Sequence, residues 1–174
     1  LDRDGVINER LPGAYVRNTD EFVLLEGVAE AMKIFADIFG RILVVTNQQG
    51  IGKGLMSVSE LDVVHKHMQA LIEKGGGRID SIYYCDALAS SGSFFRKPSV
   101  GMGLKARREH RGLNFKRSLM AGDSLSDMIF GKRLGMHTVF IGDNTEAIRN
   151  NAHYIDSIYP SLYELSLELK SILH

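Results

Sequence analysis

The chain has 174 residues, 21 basic and 21 acidic, so its formal net charge is zero; 44% are apolar and 24% charged. That balance excludes a dedicated nucleic-acid binder, which needs a basic excess against phosphates, and no apolar run nears the roughly 20 residues that span a bilayer. The single cysteine, Cys85, excludes an internal disulfide framework and suits a reducing cytoplasm. The length suits one domain over residues 1–174, expected to be a cytoplasmic monomer.

Leu1 is followed at once by Asp2-Arg3-Asp4, which is no signal peptide. A strand is expected to end at Leu1, with chain preceding it. Val28, Ala31, Met32, Phe35 and Ile38 share one face of a helix predicted over 28–39. The apolar run 41–46 is a buried strand. Ser57-Val58-Ser59-Glu60 is a capping box opening a helix through Leu61, Val64, His65, Met68 and Leu71 to Ile72. Strands are expected at 79–84, 118–121 and 138–141, and helices at 101–110, 125–134 and 161–173. Strands alternating with helices imply a parallel sheet covered on both faces. Such sheets bind ligands at the carboxyl ends of their strands.

Those ends carry the chemistry. The first is followed by Asp2-Arg3-Asp4-Gly5, the second by Thr46-Asn47-Gln48-Gln49-Gly50, the third by a loop from Cys85 to Arg96-Lys97-Pro98, and the fourth by Gly122-Asp123-Ser124-Leu125-Ser126-Asp127. Clustering Asp2, Asp4, Asp123 and Asp127 with Lys97 and Arg96 costs several kcal/mol per unpaired charge, roughly. A divalent cation and an anion are therefore the natural occupants. Asp123 and Asp127 would also suit the N-terminal dipole of the helix they open. Gly50-Ile51-Gly52-Lys53-Gly54 is not a phosphate-binding P-loop, because Gly54 stands where Ser or Thr is required; it reads as a flexible loop beside the site. His65 and His67 lie two apart on a helix and cannot face one metal; no partner is evident for His110, His137, His153 or His174.

Asp2-x-Asp4-Gly-Val, Thr46 at a strand end, Lys97 before a helix and Gly122-Asp123-x-x-x-Asp127 together resemble the haloacid dehalogenase superfamily of aspartate-based phosphohydrolases. The phrases Thr46-Asn47-Gln48-Gln49-Gly50-Ile51, Arg96-Lys97-Pro98-x-x-Gly101-Met102 and Gly13-x-Tyr15-Val16 are similar to its small branch of heptose-bisphosphate and histidinol-phosphate phosphatases. The resemblance implies a single Rossmann-like α/β domain of three layers with minimal or no cap. It implies a Mg2+-dependent phosphomonoesterase working through an aspartyl-phosphate. Asp2 would be nucleophile and Asp4 general acid and base, with Thr46 and Lys97 completing the catalytic set. Arg3, Asn47 and Arg96 would bind substrate, and Asp2, Asp123 and the Asp4 carbonyl would hold Mg2+, with Asp127 just behind. The expected partner is a small phosphorylated metabolite, first a heptose 1,7-bisphosphate and second histidinol phosphate. A non-catalytic phospho-ligand module is the rival of another class, but a binder needs no nucleophile.

Many members of this branch carry structural zinc on the loop after the third strand. Here Cys85 fits one ligand, while Ala87, Ser93 and Phe95 occupy the other places. One ligand of four cannot hold the ion, so no structural zinc is expected, and Phe94 or Phe95 is expected to turn into the core and hold the loop.

Overall fold

The computed structural model describes residues 1–143 and 145–173; His174 lies outside them. In chain order the elements are α1 (Val28–Ile38), β1 (Leu43–Asn47), α2 (Gln49–Gly52), α3 (Val58–Lys74), β2 (Ser81–Cys85), α4 (Gly101–Glu109), β3 (Leu119–Gly122), α5 (Leu125–Leu134), β4 (His137–Ile141), α6 (Thr145–Asn150), β5 (Ser157–Tyr159) and α7 (Leu162–Leu173). Parallel ladders join β1 to β2, β3 to β4 and β4 to β5. Leu1 and Asp2 lie between the two sets. The Leu1 nitrogen donates to the Leu43 carbonyl and the Val45 N–H to the Leu1 carbonyl, both at 2.8 Å, while the Asp2 N–H donates to the Ala121 carbonyl at 2.9 Å. The sheet therefore runs β2, β1, Leu1–Asp2, β3, β4, β5, which is a Rossmann-like arrangement with Asp2 at its middle.

Alternation along the strands explains the three layers. Val44 and Ala121 face one apolar cluster with Met32 and Phe35 of α1, Met68 and Ile72 of α3 and Leu162 of α7. Val45 and Met120, one residue away, face a second cluster with Met102 of α4 and Phe130 of α5. Burying each such side chain contributes about 1.5–3 kcal/mol. The capping box forms as read: the Glu60 N–H donates to Ser57 Oγ at 3.1 Å and the Ser57 N–H to Glu60 Oε2 at 2.6 Å. The sequence did not reveal α2, α6 or β5, which span four, six and three residues, too few to set a period. The segment 50–54, expected to be a flexible loop, starts inside α2 instead. Among the described residues no helix is long and apolar enough to cross a membrane.

The far edge of the sheet is pinned by Asp156. Its Oδ2 accepts from the Thr138 N–H at 2.8 Å and the Thr138 hydroxyl at 3.0 Å, and its Oδ1 meets Lys132. Slight burial would raise its pKa, but Lys132 and Thr138 outweigh that and hold the carboxyl down to about 2, from an ordinary 3.8. A depressed carboxyl stabilises the fold above its unfolded pKa, and that stability disappears as pH falls through the folded value. Between pH 4 and pH 2 the thermal midpoint should therefore fall less steeply in Asp156→Asn than in the parent; parallel curves would deny Asp156 this role.

Candidate active site

The carboxyl ends of Leu1–Asp2, β1 and β3, together with the loop before α4, open on one cleft of about 490 Å³. Asp2, Asp4, Thr46, Asn47, Arg96 and Lys97 all line it. Parallel strands bring them together because each apolar run ends at the same edge of the sheet.

Lys97 is the hinge of the inner wall. Only 3% exposed, it places Nζ 2.8 Å from Asp2 Oδ1, 2.6 Å from Asp127 Oδ1 and 2.6 Å from the Val45 carbonyl. Three acceptors satisfy its three N–H donors. Burial alone would discharge it, but Asp127 and Asp2 overcome this and raise its pKa, so it stays an ammonium. Burial pushes the Asp2 carboxyl up, Asp127 adds repulsion, and Lys97 only partly compensates. Asn47 aims Lys97 from behind: its Oδ1 accepts from the Lys97 N–H at 3.0 Å and its Nδ2 donates to the Lys97 carbonyl at 3.1 Å. The amide expected to bind substrate is thus largely occupied with bracing the lysine.

Asp4 occupies the opposite wall. Arg3 Nη2 donates to its Oδ1 at 2.8 Å and its Oδ2 at 3.0 Å, Asn8 Nδ2 to Oδ1 at 3.0 Å and Gln48 Nε2 to Oδ2 at 2.8 Å. Burial would raise this carboxyl, but Arg3, Asn8 and Gln48 more than offset it and hold it below the usual range. Gln48 Nε2 also reaches Thr46 Oγ1 at 2.9 Å, leaving the threonine hydrogen free to donate into the cleft. Arg3, expected to bind substrate, is turned away from the cleft. It is 0% exposed and absent from the cleft wall, because residues i and i+2 share a face and i+1 turns away. Gln48, Asn8 and the buried His65 beyond Arg3 were missed by sequence reasoning.

Carboxylate oxygens of Asp2, Asp123 and Asp127 lie within 4.8 Å of one another, and among the described residues they form the one such metal-capable grouping. Burial, then repulsion from Asp2 and Asp127 against the attraction of Arg10, pushes Asp123 up to about 7. Both Asp127 oxygens are already engaged, Oδ1 by Lys97 and Oδ2 by the Ser124 hydroxyl at 2.5 Å and N–H at 3.2 Å. Arg10, which no motif revealed, sets Nη2 2.9 Å from Asp123 Oδ1 and 3.5 Å from the Asp4 carbonyl. A guanidinium thus marks the point where those acceptors converge on positive charge, and the donor set of oxygens suits a hard divalent cation. Gly5 makes the approach feasible: its φ is +85°, and a Cβ there would stand 2.1 Å from Asp123 Oδ2.

Toward solvent the cleft is lined by Tyr15, Lys53, Arg10 and Arg96, with Lys53 Nζ 5.5 Å from the Tyr15 ring centre. Arg96 Nη1 donates to the Ala87 carbonyl at 3.1 Å, tying its loop down. Neither Phe94 nor Phe95 enters the core: they are 56% and 44% exposed and pack edge to face on each other, 5.8 Å between centres. Backbone bonds hold the loop instead, among them Gly101 N–H to the Phe94 carbonyl at 3.0 Å. The small residue at Gly101 permits this, since a Cβ would meet that oxygen at 2.5 Å.

A family model described as HAD-hydrolase-like matches residues 94–165. The chain is 43% identical over 128 residues to D-glycero-alpha-D-manno-heptose-1,7-bisphosphate 7-phosphatase of Mycobacterium bovis, covering 74% of this chain and 67% of that one. It is 30% identical over 171 residues to the beta-anomer enzyme of Pseudomonas putida, covering 97% of each. Its fold matches, with a TM-score of 0.89 at 24% identity, the crystal structure of D,D-heptose 1,7-bisphosphate phosphatase from B. bronchiseptica complexed with magnesium and phosphate, over 98% of this chain and 96% of that one.

Proposed function

This chain belongs to the haloacid dehalogenase-like hydrolases, in the branch of the heptose-1,7-bisphosphate 7-phosphatases, and on that premise we propose that it releases the 7-phosphate of D-glycero-D-manno-heptose 1,7-bisphosphate. The observation that carries the reading is one cleft in which Asp2 and Asp4 stand together while Lys97, Arg10, Lys53 and Arg96 supply positive charge. One phosphate needs the inner lysine; the outer cations suit a second.

The chain's own groups divide the work. Asp2 attacks phosphorus in line as the P–O bond to the sugar breaks, giving an aspartyl-phosphate. In its protonated form Asp4 hands a proton to the departing sugar oxygen; as the carboxylate it then takes one from the water that cleaves the acyl phosphate, which restores the protonated form and frees Asp2 and inorganic phosphate. Lys97, its N–H donors engaged by Asp2, Asp127 and the Val45 carbonyl, lends its positive charge to the phosphoryl group from behind Asp2, and the Thr46 hydroxyl donates to a phosphoryl oxygen. Mg2+ would be held by Asp2, Asp123 and the Asp4 carbonyl, and when bound it supplies charge neutralisation at the phosphoryl group. No structural zinc is proposed for the Cys85 loop, where Sγ has Ser93 Oγ at 3.8 Å beside it.

Two measurements test this. A panel containing both heptose-bisphosphate anomers, histidinol phosphate and an aryl phosphate should show fastest phosphate release from a heptose bisphosphate; preference for histidinol phosphate would replace the substrate assignment. In calorimetric titrations, Asp123→Ala should weaken Mg2+ binding by more than the ~10–100-fold typical of an outer-shell loss, and Asp127→Ala by less than Asp123→Ala. Equal affinities in the parent and Asp123→Ala would remove the metal assignment.

A further inference from the structure

We propose that His65 is a positioning residue for proton transfer: its ring nitrogen anchors the Arg3 guanidinium, and Arg3 in turn fixes the orientation of the Asp4 carboxylate. The inference rests on the reading of Asp4 as the group that gives and takes protons.

Arg3 is a fully buried cation. One edge of its fork is taken by Asp4, with Nε at 3.2 Å and Nη2 at 2.8 Å from Oδ1. Its other terminal nitrogen, Nη1, lies 3.2 Å from His65 Nε2. Guanidinium nitrogens only donate, so Nε2 must accept, and the neutral ring carries its proton on Nδ1. Burial first, then the charge of Arg3, keeps the imidazole neutral by lowering its pKa to about 3. Tyr84 of β2 meets the ring edge to face, with 6.1 Å between centres at 60°. His65 stands on α3, 62 residues from Arg3, on the element whose start is fastened by the Ser57–Glu60 box. A chain of contacts thus runs from α3 through His65, Arg3, Asp4 and Gln48 to Thr46. Of these residues Asp4 and Thr46 line the cleft, while His65, Arg3 and Gln48 stand behind it.

A purely structural His65 would satisfy Arg3 and nothing more. The two roles separate on the leaving group. A misplaced proton donor slows departure of an alkoxide, which needs the proton, more than departure of an aryloxide, which does not. His65→Gln sets an amide oxygen near the place of Nε2, whereas His65→Asn sets its amide near Nδ1 and falls short of Arg3. Misplacing a catalytic group by about 1 Å costs up to ~10². His65→Asn should therefore lose about tenfold or more in kcat on the heptose bisphosphate, with KM little changed, and distinctly less in single-turnover phosphorylation by an aryl phosphate. His65→Gln should restore both rates. In an Asp4→Asn background the same His65→Asn change should add no further loss.

Equal activity of the two His65 variants, equal losses on both phosphates, or losses that multiply in the double variant would overturn the positioning role. Asp4→Asn assayed alone decides the underlying reading separately: if it fails to discriminate alkyl from aryl phosphate, the acid–base role of Asp4 falls, whatever the His65 variants do. Should His65→Asn not fold, 15N spectra of the intact parent protein keep the test open. A His65 ring protonated at Nδ1 and bare at Nε2 supports the anchor, and a proton on Nε2 refutes it.

Discussion

Asp2→Asn should abolish turnover, a loss on the order of 10⁶ as for other deletions of a covalent nucleophile, and at the same time make the metal-free protein more stable. The two effects have one origin. Asp2, Asp123 and Asp127 crowd carboxylate oxygens within 4.8 Å of one another. Asp2 and Asp127 lean on one buried ammonium, Lys97. Burial and Asp127 raise the Asp2 pKa, so in the folded state its charged form is disfavoured relative to the unfolded chain. A group raised in this way destabilises the fold at neutral pH and ceases to do so where it is protonated. The neutral, nearly isosteric amide removes that penalty but cannot attack phosphorus. Lys97 keeps Asp127 and the Val45 carbonyl, so the substitution leaves no cation stranded. In chelator at neutral pH the thermal midpoint should rise, at roughly 2–4 °C per kcal/mol for a chain of this size. Residual phosphatase activity within about tenfold of the parent would refute the nucleophile. A lowered midpoint would refute the electrostatic account of the cluster.

The convergence of these residues on one cleft was legible in the sequence for a physical reason. A parallel strand buried on both faces reads as an apolar run, and the first polar residues after it must emerge at the ligand edge. Asp2, Thr46 and Asp123 are such residues, and all three stand where the runs ended. The residues that steer them were not legible. Arg10 reaches Asp123 across 113 residues of chain and His65 reaches Arg3 across 62; neither shares a motif with its partner. Gln48 stands within a motif, but its bridge from Asp4 to Thr46 depends on the turn after β1 and not on spacing, so the motif does not reveal it. Arg3 was misread through its charge, although the i, i+2 rule that joined Asp2 to Asp4 already turned Arg3 inward. Phe94 and Phe95 were misread through their hydrophobicity, since nothing in composition reveals that the loop's backbone bonds suffice.

Asp4→Asn should behave in the opposite way from Asp2→Asn, losing activity and stability together. Asp4 is the counter-ion of Arg3, which is wholly buried and whose other side-chain contact is the neutral His65. Removing one partner of a buried ion pair typically costs about 3–5 kcal/mol, because the surviving charge is left uncompensated. Geometry can adapt in part. With the amide oxygen kept toward Arg3 and Asn8, the new NH2 faces Gln48, whose Oε1 has no partner in the present arrangement. A flip of the Gln48 amide would let that oxygen accept from the new group and from the Thr46 hydroxyl. The variant should fold with a lowered midpoint, so its kinetics are to be read well below that temperature. There, loss of the acid and base should slow turnover of alkyl phosphates by ~10²–10⁴. Single-turnover phosphorylation by an aryl phosphate should lose far less, because the phenolate leaves without a proton. Hydrolysis of the aspartyl-phosphate should be slowed whichever substrate formed it, so the phosphorylated enzyme should accumulate with the aryl substrate and not with the alkyl one. Equal first-step losses on the two phosphates would show that Asp4 is not the proton donor, and an unchanged midpoint would show that Arg3 does not depend on it.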